Sequence, residues 1–294
     1  MNTQSSTPRF VLVTGATGQQ GGAVARALLE RGHRVRGLTR NTDSQSARQL
    51  AAIGAEIVEG DFSNRDTLAA AASGVDSIFL MTTPFESGVG EETKQGLMMT
   101  DVAREAGVGH LVFSSVASAD QNTGIPHFDS KYEVEKAIVA SGIPYTIVAP
   151  VFFMENIMAP WTLDSMKEGK MALAMPGDVP LQHVATQSIG EFVRALIEQR
   201  DDVFGRRFDI ASDELDGQTA AAIISSDAGK PIVYEGFPPA YLREQSEDFA
   251  IMFEWFDSVG YSVNVEELKA KFPDVTWPSF AQWSSQQDWN AAGL

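Results

Sequence analysis

Three glycines, Gly15, Gly18 and Gly21, in the run Gly15-Ala16-Thr17-Gly18-Gln19-Gln20-Gly21, constrain this chain more than any other feature. They follow a short apolar run at residues 10–14. They open a stretch at residues 18–31 in which Ala23, Val24, Ala27 and Leu28 share one helical face before Gly32. A strand, a turn poor in Cβ atoms and a helix, in that order, begin a βαβ unit. Such a turn is tight and lets the backbone approach whatever it holds. The helix start adds unpaired N–H groups and the positive end of the peptide dipoles. The ligand this arrangement serves is the pyrophosphate of a dinucleotide. Gly15, Thr17, Gly18, Gln19, Gln20 and Gly21 are its candidate contacts.

Which dinucleotide is bound depends on the end of the second strand, expected at residues 34–39. An NAD site usually places Asp or Glu there, about 20 residues past the glycines, to hold the ribose hydroxyls. This chain has Thr39-Arg40-Asn41 instead, with no acid until Asp43. A guanidinium at Arg40 suits a 2′-phosphate and the face of an adenine. The expected cofactor is NADP(H).

Strand and helix patterns keep alternating as far as Pro150, with strands expected at residues 56–59, 77–81, 110–114 and 145–149. Helices are expected between them at 46–53, 65–72, 93–106 and 130–141, with Gly124-Ile125-Pro126 as loop. Repeated right-handed crossovers give an α/β fold: a Rossmann-type doubly wound parallel sheet. Beyond Pro150 the pattern loosens. Residues 154–170 read as mostly helical around Pro160, 171–178 as loop or edge strand, 187–199 as helix and 206–210 as strand. Residues 218–226, 240–258 and 265–271 read as further helices, and 232–234 as strand-like. Residues 1–150 are expected to form the NADP(H)-binding domain. Residues 151–294 are expected to form a smaller α+β substrate region, partly interleaved with the sheet.

Lys and Arg number 22 against 39 Asp and Glu, a net charge of -17. So acidic a surface repels nucleic acid and anionic membranes. The chain has no cysteine, which excludes disulfides, thiol catalysis and Cys-ligated zinc. Its four histidines are dispersed without metal-ligand spacing, so no metal is expected. The opening segment, residues 1–8, lacks the features of a signal peptide, and no apolar run approaches the roughly 20 residues of a membrane span. A cytoplasmic protein is expected, with a small molecule as its main partner.

Several short motifs occur in a fixed order: Thr14-Gly15-Ala16-Thr17-Gly18-Gln19-Gln20-Gly21-Gly22, Thr39-Arg40-Asn41, Gly60-Asp61-Phe62, Phe113-Ser114-Ser115, Ser130-Lys131 with Val134-Glu135, Ser141-Gly142-Ile143-Pro144 and Phe152-Phe153-Met154-Glu155-Asn156. Together they resemble the NmrA-like family, an atypical branch of the short-chain dehydrogenase/reductase superfamily, over residues 10–210. The resemblance implies that Asp61 and Phe62 flank the adenine and that Thr82, Thr83 and Pro84 line the cofactor groove. It implies that Lys131 bonds the nicotinamide ribose, and that Phe152, Phe153 and Asn156 lie near the nicotinamide and the substrate. Ser114 and Val151 join the expected cofactor contacts, and Phe85 the expected substrate contacts.

Most of the wider superfamily places a Tyr four residues before the Lys, as the proton donor. Here that position holds His127. Tyr132 and Lys136 repeat the spacing but do not fit the anchors, because Lys131, not Lys136, lies 11 residues before Gly142. They read as neighbours on a helix. The candidate catalytic residues are Lys131 and His127. Histidine exchanges protons near neutrality, whereas Lys131 serves equally well as a purely cofactor-holding residue. Ser114 and Ser115, at a strand end, offer hydroxyls to orient a carbonyl. Trp255, Trp277, Trp283 and Trp289 read as packing of late helices before they read as a lid. The methionines at 154, 158, 166, 171 and 175 suit an adaptable pocket or a core.

The expected function is NADP(H)-dependent reduction of a small apolar or aromatic, unsaturated or carbonyl compound. The resemblance also leaves open a non-catalytic NADP(H) redox sensor that regulates a protein partner. A homodimer or such a partner is the expected assembly.

Overall fold

The computed structural model describes residues 7–294. Most of the opening segment, residues 1–6, lies outside the described residues. The first half runs β1 (Phe10–Val13), α1 (Gln19–Glu30), β2 (Arg34–Thr39), α2 (Gln45–Ala52), β3 (Glu56–Glu59), α3 (Arg65–Ala72), β4 (Ser77–Leu80), α4 (Val89–Glu105), β5 (Leu111–Ser114), α5 (Pro126–Ser141) and β6 (Tyr145–Pro150). The second half continues with β7 (Phe152–Phe153), α6 (Pro160–Lys167), β8 (Lys170–Leu173), β9 (Pro180–Val184), α7 (Thr186–Glu198), α8 (Arg200–Val203), β10 (Arg206–Ile210), β11 (Asp213–Asp216), α9 (Gly217–Ala228) and β12 (Val233–Gly236). It ends with α10 (Glu247–Ser258), α11 (Val265–Lys271) and α12 (Phe280–Ser284).

Seven strands form one sheet in the order β10-β6-β5-β4-β1-β2-β3, and every pairing is parallel. This is the Rossmann-type doubly wound architecture read from the sequence. The chain runs outward from β1 through β2 to β3, then returns to β4 on the other side. The strand order therefore reverses between β1 and β4, where ligands of open α/β sheets bind.

Alternation along β1 feeds two cores. Val11 and Val13 pack with Val24 and Leu28 of α1 and with Ile189 and Phe192 of α7. Leu12 packs on the other face with Leu80, Met99, Phe113 and Val134, against α4 and α5. Opposite pointing of successive strand residues produces this split. Each buried Leu or Phe contributes about 1.5–3 kcal/mol from removal of apolar surface.

The second half supplies β10 to the large sheet, a three-stranded sheet β11-β9-β7 and the pair β12-β8. It has its own core, in which Met154, Met166, Met171 and Met175 meet Trp255, Phe256, Trp283 and Trp289. Those methionines and tryptophans are buried packing residues. Of residues 171–178, read as loop or edge strand, 171–173 belong to β8, which pairs with β12 and takes in Lys170 from the stretch read as helical. The single helix expected at 240–258 is instead a 3-10 turn at Pro239–Leu242 followed by α10, whose start Ser246 caps by accepting from the Phe249 N–H. Two helices begin about one turn earlier than their periodicity suggested, α4 at Val89 and α5 at Pro126. Among the described residues no helix is long and apolar enough to cross a membrane.

Candidate functional site

The turn after β1 is shaped by its glycines. Gly15 has φ +60°, and a Cβ there would meet the Met81 sulfur at 2.3 Å. A Cβ on Gly21 would stand 2.3 Å from the Gly15 carbonyl oxygen and 2.7 Å from that of Thr14, both backbone. Gly21 thus lets α1 press against the end of β1, while Gly18 is exposed at the turn's outer side. The Thr14 hydroxyl accepts from the Met81 N–H at 2.8 Å and donates to the Met81 carbonyl at 3.1 Å, tying β1 to β4 at the reversal point. No side chain caps α1 and no acid stands in its first turn. The buried Gln20 side-chain oxygen Oε1 also has no partner among the described residues. An uncapped helix start beside an orphaned buried acceptor fits a ligand carrying both phosphates and hydroxyls. The candidate dinucleotide contacts Gly15, Thr17, Gly18, Gln19, Gln20 and Gly21 all lie in this cradle.

Arg40 follows β2, where its guanidinium forks onto Glu86 at 2.6 and 2.9 Å. Hydrogen bonding and charge from Glu86 raise the Arg40 pKa, and Asp61 adds to the effect. Asp61, after β3, accepts from the Ser63 N–H; hydrogen bonding from the Ser63 side chain and backbone lowers its pKa, and the charge of Arg40 lowers it further. Arg40 and Asp61 thus share one corner. Phe62 packs part of its ring against the sheet core.

Beyond β4, Thr82 is buried, Thr83 and Pro84 are half-buried and Phe85 is exposed. The buried Lys131 reaches this loop from α5. Its ammonium donates to the Thr82 carbonyl at 2.6 Å and to the Thr82 hydroxyl at 3.2 Å, and pairs with Glu92 at 2.8 Å. The Glu92 side chain is fully buried and also accepts from the hydroxyls of Ser130 at 2.5 Å and Thr82 at 3.2 Å. An ammonium has three protons to donate, and here three protein acceptors surround it.

His127 differs in its surroundings. Pro126, read as loop, occupies the first position of α5, where its missing N–H costs nothing. His127 is therefore fixed in a helix, one turn before Lys131. Its Nδ1 meets Asp248 of α10, whose other carboxylate oxygen accepts from the His127 backbone N–H at 3.1 Å. Among the described residues Nε2 has no hydrogen-bond partner. The rings of Phe85 and Phe249 lie 5.9 and 6.5 Å from the imidazole. An imidazole anchored at one nitrogen by a carboxylate and open at the other can give and take a proton.

The remaining candidates lie at the end of β5 and in the segment after β6. Ser114 is buried at the end of β5. Next to it, the Ser115 hydroxyl bonds Glu135, which in turn holds Arg207 at 3.0 Å. Burial raises the pKa of Glu135, against the opposing charge of Arg207 and the Ser115 bond. Val151 is buried, with its N–H on the Ile210 carbonyl at 3.1 Å. Phe152 and Phe153 form β7 and part ways: Phe152 packs edge-on against His183 and Phe256, and Phe153 against the core under α1. Asn156 is half-buried in the next 3-10 turn. Glu155 is structural, accepting the Thr186 N–H at the start of α7 and the Trp283 indole N–H. Tyr132 and Lys136 are helix neighbours, with the ammonium 5.2 Å from the ring and paired to Glu133.

Sequence reasoning missed Glu86, Glu92 and Asp248. Glu92 and Asp248 fall in first helical turns, where acids are common for the helix dipole alone. Glu86 lies in a loop. No local signal separates these three from ordinary surface acids.

The chain is similar to known proteins over nearly its whole length. Residues 7–288 match the model of the NmrA-like family. An NmrA-like family domain-containing protein of Dictyostelium discoideum is 26% identical over 270 residues, 85% of this chain and 88% of that one. The oxidoreductase FrzB of Cladobotryum sp is 35% identical over 162 residues, but the match spans only 51% of this chain and 48% of the relative. The NAD(P)H azoreductase of Xenophilus azovorans is 28% identical over 227 residues, 76% of each chain. Among solved structures, Citrobacter sp. triphenylmethane reductase complexed with NADP(H) superimposes with a TM-score of 0.78 at 21% identity, over 95% of this chain and 99% of that one. The negative transcriptional regulator NmrA in complex with NADP gives 0.77 at 19% identity, over 98% of both chains. With the family model covering nearly its whole length, this chain belongs to the NmrA-like family.

Proposed function

We propose that the chain is an NADP(H)-dependent reductase of a small, flat, apolar compound, with His127 as proton donor and Lys131 as a fixed positive charge on the cofactor's ribose side. The observation that carries this reading is the Asp248–His127 pair, one helical turn before Lys131, where the wider superfamily places its tyrosine. A protein that only bound dinucleotide would have no use for an oriented imidazole. Relatives named as oxidoreductases and an azoreductase support the same reading, as does the NADP(H)-bound reductase with this fold.

Under this reading the glycine turn holds the pyrophosphate, the orphaned Gln20 amide oxygen accepts from a cofactor hydroxyl, Arg40 holds the 2′-phosphate, and Asp61 and Phe62 flank the adenine side. When bound, NADPH supplies a hydride. Thr82 and Glu92 keep Lys131 in place, and their hold on its protons makes it an anchor in preference to a proton source. His127, protonated on both nitrogens, donates from Nε2 to the oxygen or nitrogen that gains charge as the substrate takes up hydride. It is left neutral, with Nδ1–H on Asp248. Asp248 is a positioning residue that orients the ring and offsets its charge. Phe85 and Phe249 offer apolar faces to a planar substrate, and Phe153 and Asn156 are its further proposed contacts. Residues 1–150 act as the cofactor half and residues 151–294 as the substrate half, in a cytoplasmic enzyme.

The test is NADPH oxidation by the purified protein against quinones, azo compounds, enones and imines, with NADPH affinity titrated in parallel. Turnover of at least one class, lost in His127→Gln with NADPH binding retained, is expected. Tight NADPH binding with no turnover of any class would reject the reductase. The reading would then pass to a dinucleotide-occupancy sensor with a protein partner, which the likeness to the NmrA regulator favours.

A further inference from the structure

Arg40 leaves the sheet after β2, and the loop of residues 81–88 leaves it after β4. Strands β2 and β4 flank β1 on its two sides. Adjacent strands lie about 4.8 Å apart, so these exits are separated by about 10 Å. The Arg40–Glu86 fork bridges that distance, across the strand that feeds the glycine turn. Both side chains are more than half exposed, at 65% and 54%, so no core holds the contact in place. The same loop carries Phe85, whose ring lies 5.9 Å from His127 and 5.5 Å from Phe249. One short loop thus touches the adenosine corner through Glu86 and the proton donor through Phe85.

The geometry points to Glu86 as a built-in competitor for the anion site on Arg40: a 2′-phosphorylated dinucleotide binds by displacing the Glu86 carboxylate, which frees the loop that seats Phe85 against His127. The inference rests on the NADP(H) reading above and extends it to specificity and to communication between the two ends of the site. A guanidinium fork accepts a carboxylate or a phosphate in the same bidentate manner. A phosphate monoester carries about −1.5 to −2 charge near neutrality, so Glu86 is repelled once the phosphate occupies the fork. Exposed ion pairs are individually weak, so this exchange is accessible to a ligand that brings its own anion. A ligand without the 2′-phosphate does not contest the fork and leaves Glu86 where it is.

The probes are adenosine 2′,5′-bisphosphate, which has the 2′-phosphate but no nicotinamide, and 5′-AMP, which lacks the 2′-phosphate. Calorimetric titration should show Glu86→Gln binding the bisphosphate about fivefold more tightly than wild type, with 5′-AMP changed by less than about twofold. In an Arg40→Ala background the Glu86 substitution should change neither. In wild-type protein the bisphosphate, and not 5′-AMP, should shift the His127 imidazole NMR resonances as the Phe85 ring moves. In Glu86→Gln they should start near the shifted position. Unchanged bisphosphate affinity in Glu86→Gln, equal tightening of both probes, or a Glu86 effect that survives Arg40→Ala would overturn the inference. If wild-type protein bound the bisphosphate no better than 5′-AMP, the NADP(H) reading itself would fall, and the inference with it.

Discussion

The two ends of the site are built on opposite principles. At the dinucleotide end, one stretch, residues 14–40, supplies the turn, the helix start and the guanidinium. At the chemical end, the partners come from far apart in the chain. His127 and Asp248 are 121 residues apart, Lys131 and Thr82 are 49 apart, and Ser130 and Glu92 are 38 apart. On the proposed reading, the first end recognises a phosphate with backbone, which any glycine-spaced turn before a helix can present. The second sets charges against one another in a dry interior, which only the finished fold can assemble. A local motif therefore identifies the cofactor class, and long-range packing decides the chemistry.

The largest expected effect breaks the chemical end. Lys131→Met leaves the fully buried Glu92 charge without its ammonium, which should cost about 3–5 kcal/mol of folding stability. Adding Glu92→Leu should restore most of that loss, because the orphaned charge goes with it. Urea unfolding of the two variants checks both. If Lys131→Met unfolds at the wild-type midpoint, Lys131 and Glu92 are not the interior pair described.

A pH series sharpens the comparison by probing burial behind the site. Burial lowers the pKa of His183 to about 4 and that of His110 to about 3. In the unfolded chain both titrate near 6.5. Between these values the unfolded state binds the extra protons, so stability is complete above about pH 6.5 and falls as pH drops toward 4. His183 alone should account for roughly 3 kcal/mol between pH 7 and pH 4. His183→Gln should flatten that segment of the stability curve, and an unaltered slope would mean that water reaches the ring behind Phe152.

Smaller effects separate two glycines at the dinucleotide end. Gly21→Ala would drive a methyl into backbone and should cost about 1–3 kcal/mol. Gly18 has φ -92° and ψ -177°, ordinary extended backbone, and its nearest neighbour to a new Cβ is the Gly15 oxygen at 3.3 Å. Gly18→Ala should leave thermal unfolding nearly unchanged while NADPH affinity falls about tenfold, because the methyl enters the phosphate's space. Equal losses of stability and affinity in both variants would erase the distinction between a packing glycine and a ligand-facing one.

The parallel sheet was legible because its central strands β1, β4 and β5 are short, fully buried, mostly apolar runs between helical periods. Boundaries failed where one residue type has two meanings. Pro126 reads as a helix breaker but serves as the first residue of α5. Gly90 masks a helix start that the acids Glu91 and Glu92 support. Residues 240–258 carry one apolar period through Ser246, where the side chain caps α10 and ends any continuous helix. At the site, the sequence pointed only to residues whose signal is local, Gly15 to Gly21 and Arg40 among them. Glu86, Glu92 and Asp248 carry no such signal, because a carboxylate acquires a role only from the cation that the fold sets beside it.

On the proposed mechanism, His127, oriented by Asp248, provides the proton that accompanies hydride transfer from NADPH. The most direct test of this role is the single-turnover rate of NADPH oxidation across pH 5–9 in wild type and Asp248→Asn, with NADPH affinity measured on the same samples. The rate should fall by about two orders of magnitude in Asp248→Asn, with its pH dependence displaced and NADPH affinity unchanged. A rate and pH profile identical to wild type would contradict the claim and return the proton to another group.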